Sequence, residues 1–165
     1  MKLAFSIATP AEAPELAALH TAVAAEITRR HGRGPWSSAT TEKGVLLSLR
    51  QSRVVIARKG KTIVGTLRLQ TKKPWAIALS YFTPVGKALY LTAMAVSPAL
   101  QGNEIGRKLL EEAVTLARTW PADAIRLDAW DADAGAGGFY AKCGFRETGR
   151  ATYRNAPLIY FELVL

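Results

Sequence analysis

Apolar positions along this chain recur at two different spacings, and the changes between them mark out the elements. Residues 2–8 read as a first strand. Thr9-Pro10-Ala11-Glu12 then opens a helix, with a hydroxyl at the N-cap, proline at the first helical position and glutamate three residues after the cap. Leu16, Leu19, Val23 and Ile27 follow at helical spacing and predict one apolar stripe. The glycines and proline of His31-Gly32-Arg33-Gly34-Pro35 end that helix. A shorter helix is predicted over residues 40–50, with Val45, Leu46 and Leu49 turned inward.

The pattern then becomes that of strands. Val54-Val55-Ile56-Ala57 is a largely β-branched run, Lys59-Gly60-Lys61 a turn and Thr62 to Leu69 a returning strand, which together predict a hairpin. Residues 72–87 hold two prolines with Trp75, Tyr81 and Phe82, and read as an irregular connection with room for one helical turn. Ala88 to Val96 is apolar enough for a central strand, which Ser97-Pro98 ends. After a polar loop from Gln101 to Gly106, Leu109, Leu110, Ala113, Leu116, Ala117 and Trp120 share a helical face up to Pro121. Ala124 to Trp130 is a strand, followed by a short helix near 134–142 and strands near 145–150 and 157–164. With no repeat, low-complexity tract or second core, residues 1–165 predict a single α/β domain.

Composition narrows the reading. Hydrophobic residues make up 49% and charged ones 21%, a globular balance and not a disordered one. No apolar run reaches the roughly 20 residues that cross a bilayer, and Met1 to Ser6 lacks the apolar block of a secretory leader. A cytoplasmic location and no membrane partner are expected. The single cysteine, Cys143, excludes an internal disulfide and a cysteine metal cluster, so no metal site is expected. The net charge of +9 suits a polyanion, either nucleic acid or a ligand with several phosphates. Because the basic residues are scattered in ones and twos, as at Arg29-Arg30 and Lys72-Lys73, nucleic acid is the disfavoured partner.

The loop Gln101-Gly102-Asn103-Glu104-Ile105-Gly106, between a strand and a helix, has the make-up of a phosphate cradle. First-turn N–H groups of a helix lack internal partners, and glycines let the backbone close on an anion. Arg107 and Lys108 add positive charge at the rim. The lysine-serine or lysine-threonine of a nucleotide P-loop is missing, and so are the three glycines of a dinucleotide fingerprint.

The segment resembles the coenzyme A loop of the GCN5-related N-acetyltransferase (GNAT) family: Gln or Arg, two free positions, Gly, one free position, then Gly or Ala. Gln101 and Gly106 fit, as do the entry Met94-Ala95-Val96-Ser97-Pro98 and the exit Arg107-Lys108-Leu109-Leu110. A second segment, Asp133 to Phe145, resembles the family's late Asn, Ala, Tyr and Gly-Phe pattern, and the order of elements agrees along nearly the whole chain. The resemblance implies an α/β fold with a mixed central sheet of about six to seven strands flanked by about four helices. It implies acetyl-CoA as cosubstrate, held by Met94, Ala95 and Val96 on a splayed central strand. The loop residues Gln101, Gly102, Asn103, Glu104, Ile105 and Gly106, with Arg107 and Lys108, would take the phosphates, and Asp133 and Ala136 would complete the site. It also implies that Tyr140 is the general acid for the leaving sulfur; a phenol of pKa about 10 is protonated at neutral pH.

Two positions depart from the family pattern. Glu104 replaces the middle glycine, and a carboxylate about 4 Å from a phosphate would cost roughly 1 kcal/mol in water and about 4 near a protein surface. Asp133 replaces the usual Asn and loses an amide donor. The stretch Tyr90 to Met94 offers no carboxylate as a base, which leaves Glu26, His20, His31, Asp128 and Asp131 as unranked candidates. Cys143 has no activating histidine beside it in sequence and reads as a small core residue. The acceptor groove is expected at His31 to Ser38 and Trp75 to Phe82, where Trp36, Trp75 and Tyr81 either stack on a substrate or pack.

The activity implied is direct acetyl transfer to a primary amine of a small molecule. The alternatives are acetylation of a protein N-terminus or lysine, and a catalytically weak acyl-CoA-binding module. A homodimer through an edge strand is also contemplated, and the apolar end Leu158 to Leu165 is read either as an internal strand or as a dimer contact.

Overall fold

The computed structural model describes residues 1–165. Thr9 and Glu12 form the expected capping box, the Thr9 N–H donating to Glu12 Oε2 at 3.2 Å. It caps a single short turn, Pro10–Glu12, which leads into helix α1, Ala13–His31. Helix α2, Glu42–Gln51, is capped by Thr41, whose hydroxyl accepts from the Gly44 N–H. Strands β1 (Ala4–Ile7), β2 (Arg53–Lys59), β3 (Thr62–Gln70) and β4 (Ala88–Val96) form an antiparallel meander. Helix α3, Ile105–Thr119, returns the chain to β5, Ala124–Trp130, which lies parallel to β4. Helix α4 (Gly137–Lys142), β6 (Arg146–Tyr153) and β7 (Ala156–Val164) complete the chain.

The seven strands make one mixed sheet in the order β1-β2-β3-β4-β5-β7-β6. With four helices around it, this is the α/β architecture that the sequence predicts. Strand β7 lies between β5 and β6, so the apolar C-terminal segment is an internal strand and not a free edge. The larger core joins Leu67, Leu69, Leu89, Leu91, Ile125, Leu127 and Phe161 to Leu109, Leu110, Ala113 and Ala117 of α3 on one sheet face. A smaller core joins Val54, Ile56 and Ile63 to Leu16 and Leu19 of α1 and Val45 of α2 on the other. Gly65 lets α3 come close: a Cβ there would sit 2.7 Å from Leu109 Cδ1 and 3.0 Å from Ile105 Cγ2.

One irregularity shapes the centre of the sheet. Thr66 pairs with Ala95, but Arg68 pairs with Thr92, so β4 carries one residue more than β3 over this stretch. Ala93, in the extra stretch, has φ 50°, a left-handed conformation unusual for a residue with a Cβ. A bulge of this kind bends its strand and increases the local twist. On the other side of β4, pairing with β5 covers only Ala88–Ala124, Leu89–Ile125 and Tyr90–Arg126. Beyond these residues β4 and β5 diverge, leaving unpaired backbone groups along a gap.

Candidate active site

The gap between β4 and β5 opens into a cavity of about 610 Å³. Met94, Ala95 and Val96 line it from the end of β4. Gln101, Gly102, Glu104, Ile105 and Gly106 line it from the loop and the start of α3, with Arg107 beside them. Asp133 and Ala136 border it from the turn after β5, and Tyr140 from α4. Asn103 and Lys108 are not among its lining residues; the Asn103 side chain instead donates to the Leu100 carbonyl at 3.1 Å.

The loop has the properties of an anion cradle. Gly102 has φ 85° and Glu104 φ 63°, so the chain makes two left-handed steps before α3 begins. The N–H groups of Gly102 and Glu104 donate to nothing within the chain, and Ile105 to Arg107 form the first turn of α3. The first bond into the helix runs from Lys108 N–H to the Glu104 carbonyl at 3.1 Å. The end of α3 therefore presents free donors and the positive end of its dipole to the cavity. Gln101 secures the loop by donating its side-chain amide to the Val96 carbonyl at 3.2 Å. Glu104 turns outward, its carboxylate 2.8 Å from Arg107 and mostly exposed. The guanidinium beside it holds the Glu104 carboxyl below its ordinary pKa. The expected opposition to a phosphate is thus met in part by an ion pair, which also engages Arg107.

Tyr140 is buried among Phe139, Phe145 and Phe161. Its hydroxyl reaches Met94 Sδ at 3.6 Å across the β4–β5 gap, a weak acceptor that a better one can displace. Burial, with the Asp128 carboxylate and the Cys143 thiol adding to it, raises its pKa well above the usual phenol value, so the proton stays on. Burial likewise raises the Cys143 thiol, which leaves it a poor nucleophile.

The candidate bases separate by environment. Glu26 lines the cavity but is engaged by Arg29 and Arg30, which lower its pKa to about 2. Asp131 pairs with Arg150 at 3.3 Å. His20 is half-buried, and burial together with the nearby Arg68 charge lowers its pKa. His31 lines the cavity at the exposed end of α1. Asp128, on β5 beside the gap but not among the residues that line the cavity, forms no ion pair; burial raises its pKa, opposed in part by its own backbone N–H.

The expected acceptor-groove aromatics mostly pack. Trp36 sits edge-on against Trp130 with centroids 6.4 Å apart, and its indole donates to the Gly32 carbonyl. Tyr81 lies against Tyr160 and Gly149, while Ile77 and Phe82 are buried with Tyr90 and Tyr160. Trp75 is 82% exposed and none of these aromatics lines the cavity. The α1 residues Val23, Ile27 and Arg30 line it instead; the apolar stripe contained the first two, without indicating that they face a cavity. Sequence reasoning also missed the buried Arg126–Glu162 pair, 3.2 Å apart, because its partners lie on separate strands.

A family model described as the acetyltransferase (GNAT) family matches residues 20–145. Comparison with curated proteins gives no match. Among solved structures, the chain is similar to a ribosomal-protein-alanine N-acetyltransferase from Brucella melitensis, at 18% identity and TM-score 0.75, over 98% of this chain and 99% of that one. It is similar to PaiA N-acetyltransferase from Thermoplasma acidophilum, in complex with coenzyme A, at 15% identity and TM-score 0.74, over 97% and 98%. It is also similar to yncA from Salmonella typhimurium, solved with its cofactor acetyl-CoA, at 16% identity and TM-score 0.72, over 99% and 94%.

Proposed function

Because this chain belongs to the acetyltransferase (GNAT) family, whose cosubstrate is acetyl-CoA, we propose that it transfers the acetyl group directly to a primary amine of a small molecule. The observation that carries the proposal is the junction of three features in one cavity: free donors at the start of α3, the β4–β5 gap and the Tyr140 hydroxyl. In this reading the loop from Gln101 to Gly106 takes the phosphates, and the unpaired edge of β4 past Tyr90 holds the pantetheine arm and thioester.

Asp128 accepts a hydrogen bond from the amine. The nitrogen lone pair forms the C–N bond at the acyl carbon, and Asp128 takes the proton that the nitrogen then sheds. Backbone N–H groups at the gap stabilise the oxyanion, and Tyr140 donates to the sulfur as the C–S bond breaks. The raised pKa of Cys143 argues against an acetyl-cysteine intermediate.

Tyr140→Phe tests this assignment. We expect acetyl-CoA binding, measured by calorimetry, to persist while kcat in a thiol-release assay falls about a hundredfold. Unchanged turnover would remove Tyr140 from the chemistry, and failure of the parent protein to bind acetyl-CoA would remove the function itself.

A further inference from the structure

On the α1–α2 side of the sheet, strand pairing sets charged and polar residues in rows. Arg68 on β3 pairs with Thr92 on β4, and Asp128 on β5 pairs with Tyr160 on β7. The neighbouring row runs Gln70, Tyr90, Arg126, Glu162, and Arg126 bonds both the Tyr90 hydroxyl and the Glu162 carboxylate, so these side chains share a face. Period-two alternation then puts Asp128 on the same face as Arg126, and Thr92 on the same face as Tyr90. Arg68 and Asp128 therefore flank the β4–β5 gap from opposite sides, with β4 between them.

Both are charged groups without a charged partner. No carboxylate comes within 4 Å of Arg68, whereas Arg126, on β5 at the sheet centre, has Glu162 at 3.2 Å. Arg68 is held by neutral oxygens alone: Nε donates to Thr92 Oγ1 at 3.1 Å, Nη2 to Gln70 Oε1 at 2.8 Å and Nη1 to the Ser48 hydroxyl of α2. Three of its five N–H groups are used, which leaves one on each terminal nitrogen. The bond to Thr92 brings the guanidinium over β4, next to the gap. A half-buried cation fixed by neutral groups, with two donors to spare, is organised for a planar anion.

We propose that the acceptor is an amine that also carries a carboxylate, such as an amino acid, bound with its carboxylate on Arg68 and its amine beside Asp128. This rests on the acetyltransferase reading and gives it a substrate class. At least two strand spacings, about 9–10 Å, separate the backbones of Arg68 and Asp128. The arginine side chain reaches over β4 to Thr92, and past Tyr90 the pairing of β4 with β5 has ended, so the interval is wider than two paired spacings. A peptide chain would have to carry its own carboxylate to the same spot to satisfy Arg68.

The test compares L-amino acids with the matching amino-acid amides and decarboxylated amines in a thiol-release assay with acetyl-CoA. The expected result is a kcat/KM for the acids at least about tenfold above that for the amides, the effect of one charge-assisted hydrogen-bonded pair. Arg68→Gln is expected to raise KM for the acids with a smaller change in kcat, and to bring the acid-to-amide ratio close to one. Arg68→Lys, which keeps the charge without the planar fork, is expected to retain part of the preference, with folding checked by thermal melting. Amides or simple amines used as well as the acids would overturn the proposal, as would an acid-to-amide ratio unmoved in folded Arg68→Gln. Acetyl-CoA binding without turnover of any acid would also overturn it and leave the cosubstrate reading standing. Absence of acetyl-CoA binding would overturn both.

Discussion

At the scale of single residues, the properties of the cavity and of the β4–β5 gap beside it follow from what each group lacks as much as from what it has. Asp128 lacks a cation, so burial raises its pKa, whereas Glu26, held by two arginines, is driven down to about 2. A raised carboxyl in the folded state means that the folded protein binds the proton more tightly than the unfolded chain does. That relative stability is present at low pH and is lost as pH climbs through the folded-state pKa. Asp128→Asn should therefore raise the melting temperature at neutral pH while lowering kcat about a hundredfold or more. In the parent, kcat/KM should fall as pH drops through the Asp128 pKa, and the acid limb should vanish in Asp128→Asn. A variant that melted lower and kept its acid limb would show that Asp128 is structural.

Glu104 offers the opposite lesson. It occupies a left-handed position at φ 63°, which costs a residue with a Cβ about 1 kcal/mol, and its carboxylate engages Arg107. Glu104→Gly removes the strain but loosens the unfolded chain by a similar amount, so stability should change by less than about 1 kcal/mol. Acetyl-CoA affinity should rise severalfold, because Arg107 is released and a negative charge is removed from the phosphate cradle. Calorimetry at low salt checks this, and a weaker affinity would show that the ion pair organises the loop.

Among the elements, those with a local signal were legible and those made by pairing were not. The capping box at Thr9, the stripe of α1, the hairpin of β2 and β3 and the limits of β5 were all readable, because each is encoded within a few neighbouring residues. The strand–loop–helix order around Gln101 to Gly106 was readable for the same reason. The bulge at Ala93 was not, since no glycine marks it and its cause is the mismatch of two strands. Tyr81 was left open between stacking on a substrate and packing, because composition cannot tell a ring that stacks on a ligand from one that packs on Tyr160. Arg126 and Glu162 were invisible as a pair, yet both side chains are almost fully buried, and Arg146 and the Thr83 N–H also serve the carboxylate. Glu162→Gln should destabilise the protein by about 3–5 kcal/mol, because it leaves Arg126 buried without its counter-charge. Denaturant unfolding measures this, and a loss under about 1 kcal/mol would mean that water compensates Arg126.

On the scale of the whole molecule, the net charge of +9 acts as a field and not as a patch. No helix is long and apolar enough to cross a membrane, and no cluster of three or more histidine, cysteine or acidic residues is placed to hold a metal. The field should draw a multiply charged anion toward the free donors at α3, and salt should weaken that attraction as the screening length falls to about 10 Å at 0.1 M.

The short ladder between β4 and β5 has a mechanical meaning. Three residue pairs, Ala88 to Tyr90 against Ala124 to Arg126, join a four-stranded half of the sheet to a three-stranded half. The sheet is thus a seam sewn at one end and open at the other. A ligand lying along the open end would act as the missing stitches, taking up the idle N–H and C=O groups of both edges. Saturating acetyl-CoA, at about a hundred times its Kd, should add about 2.7 kcal/mol to stability. Slower amide hydrogen exchange should concentrate at residues 91–96 and 127–130, with the outer strands β1 and β6 little changed. Protection spread evenly over the sheet would mean that the two halves already move as one.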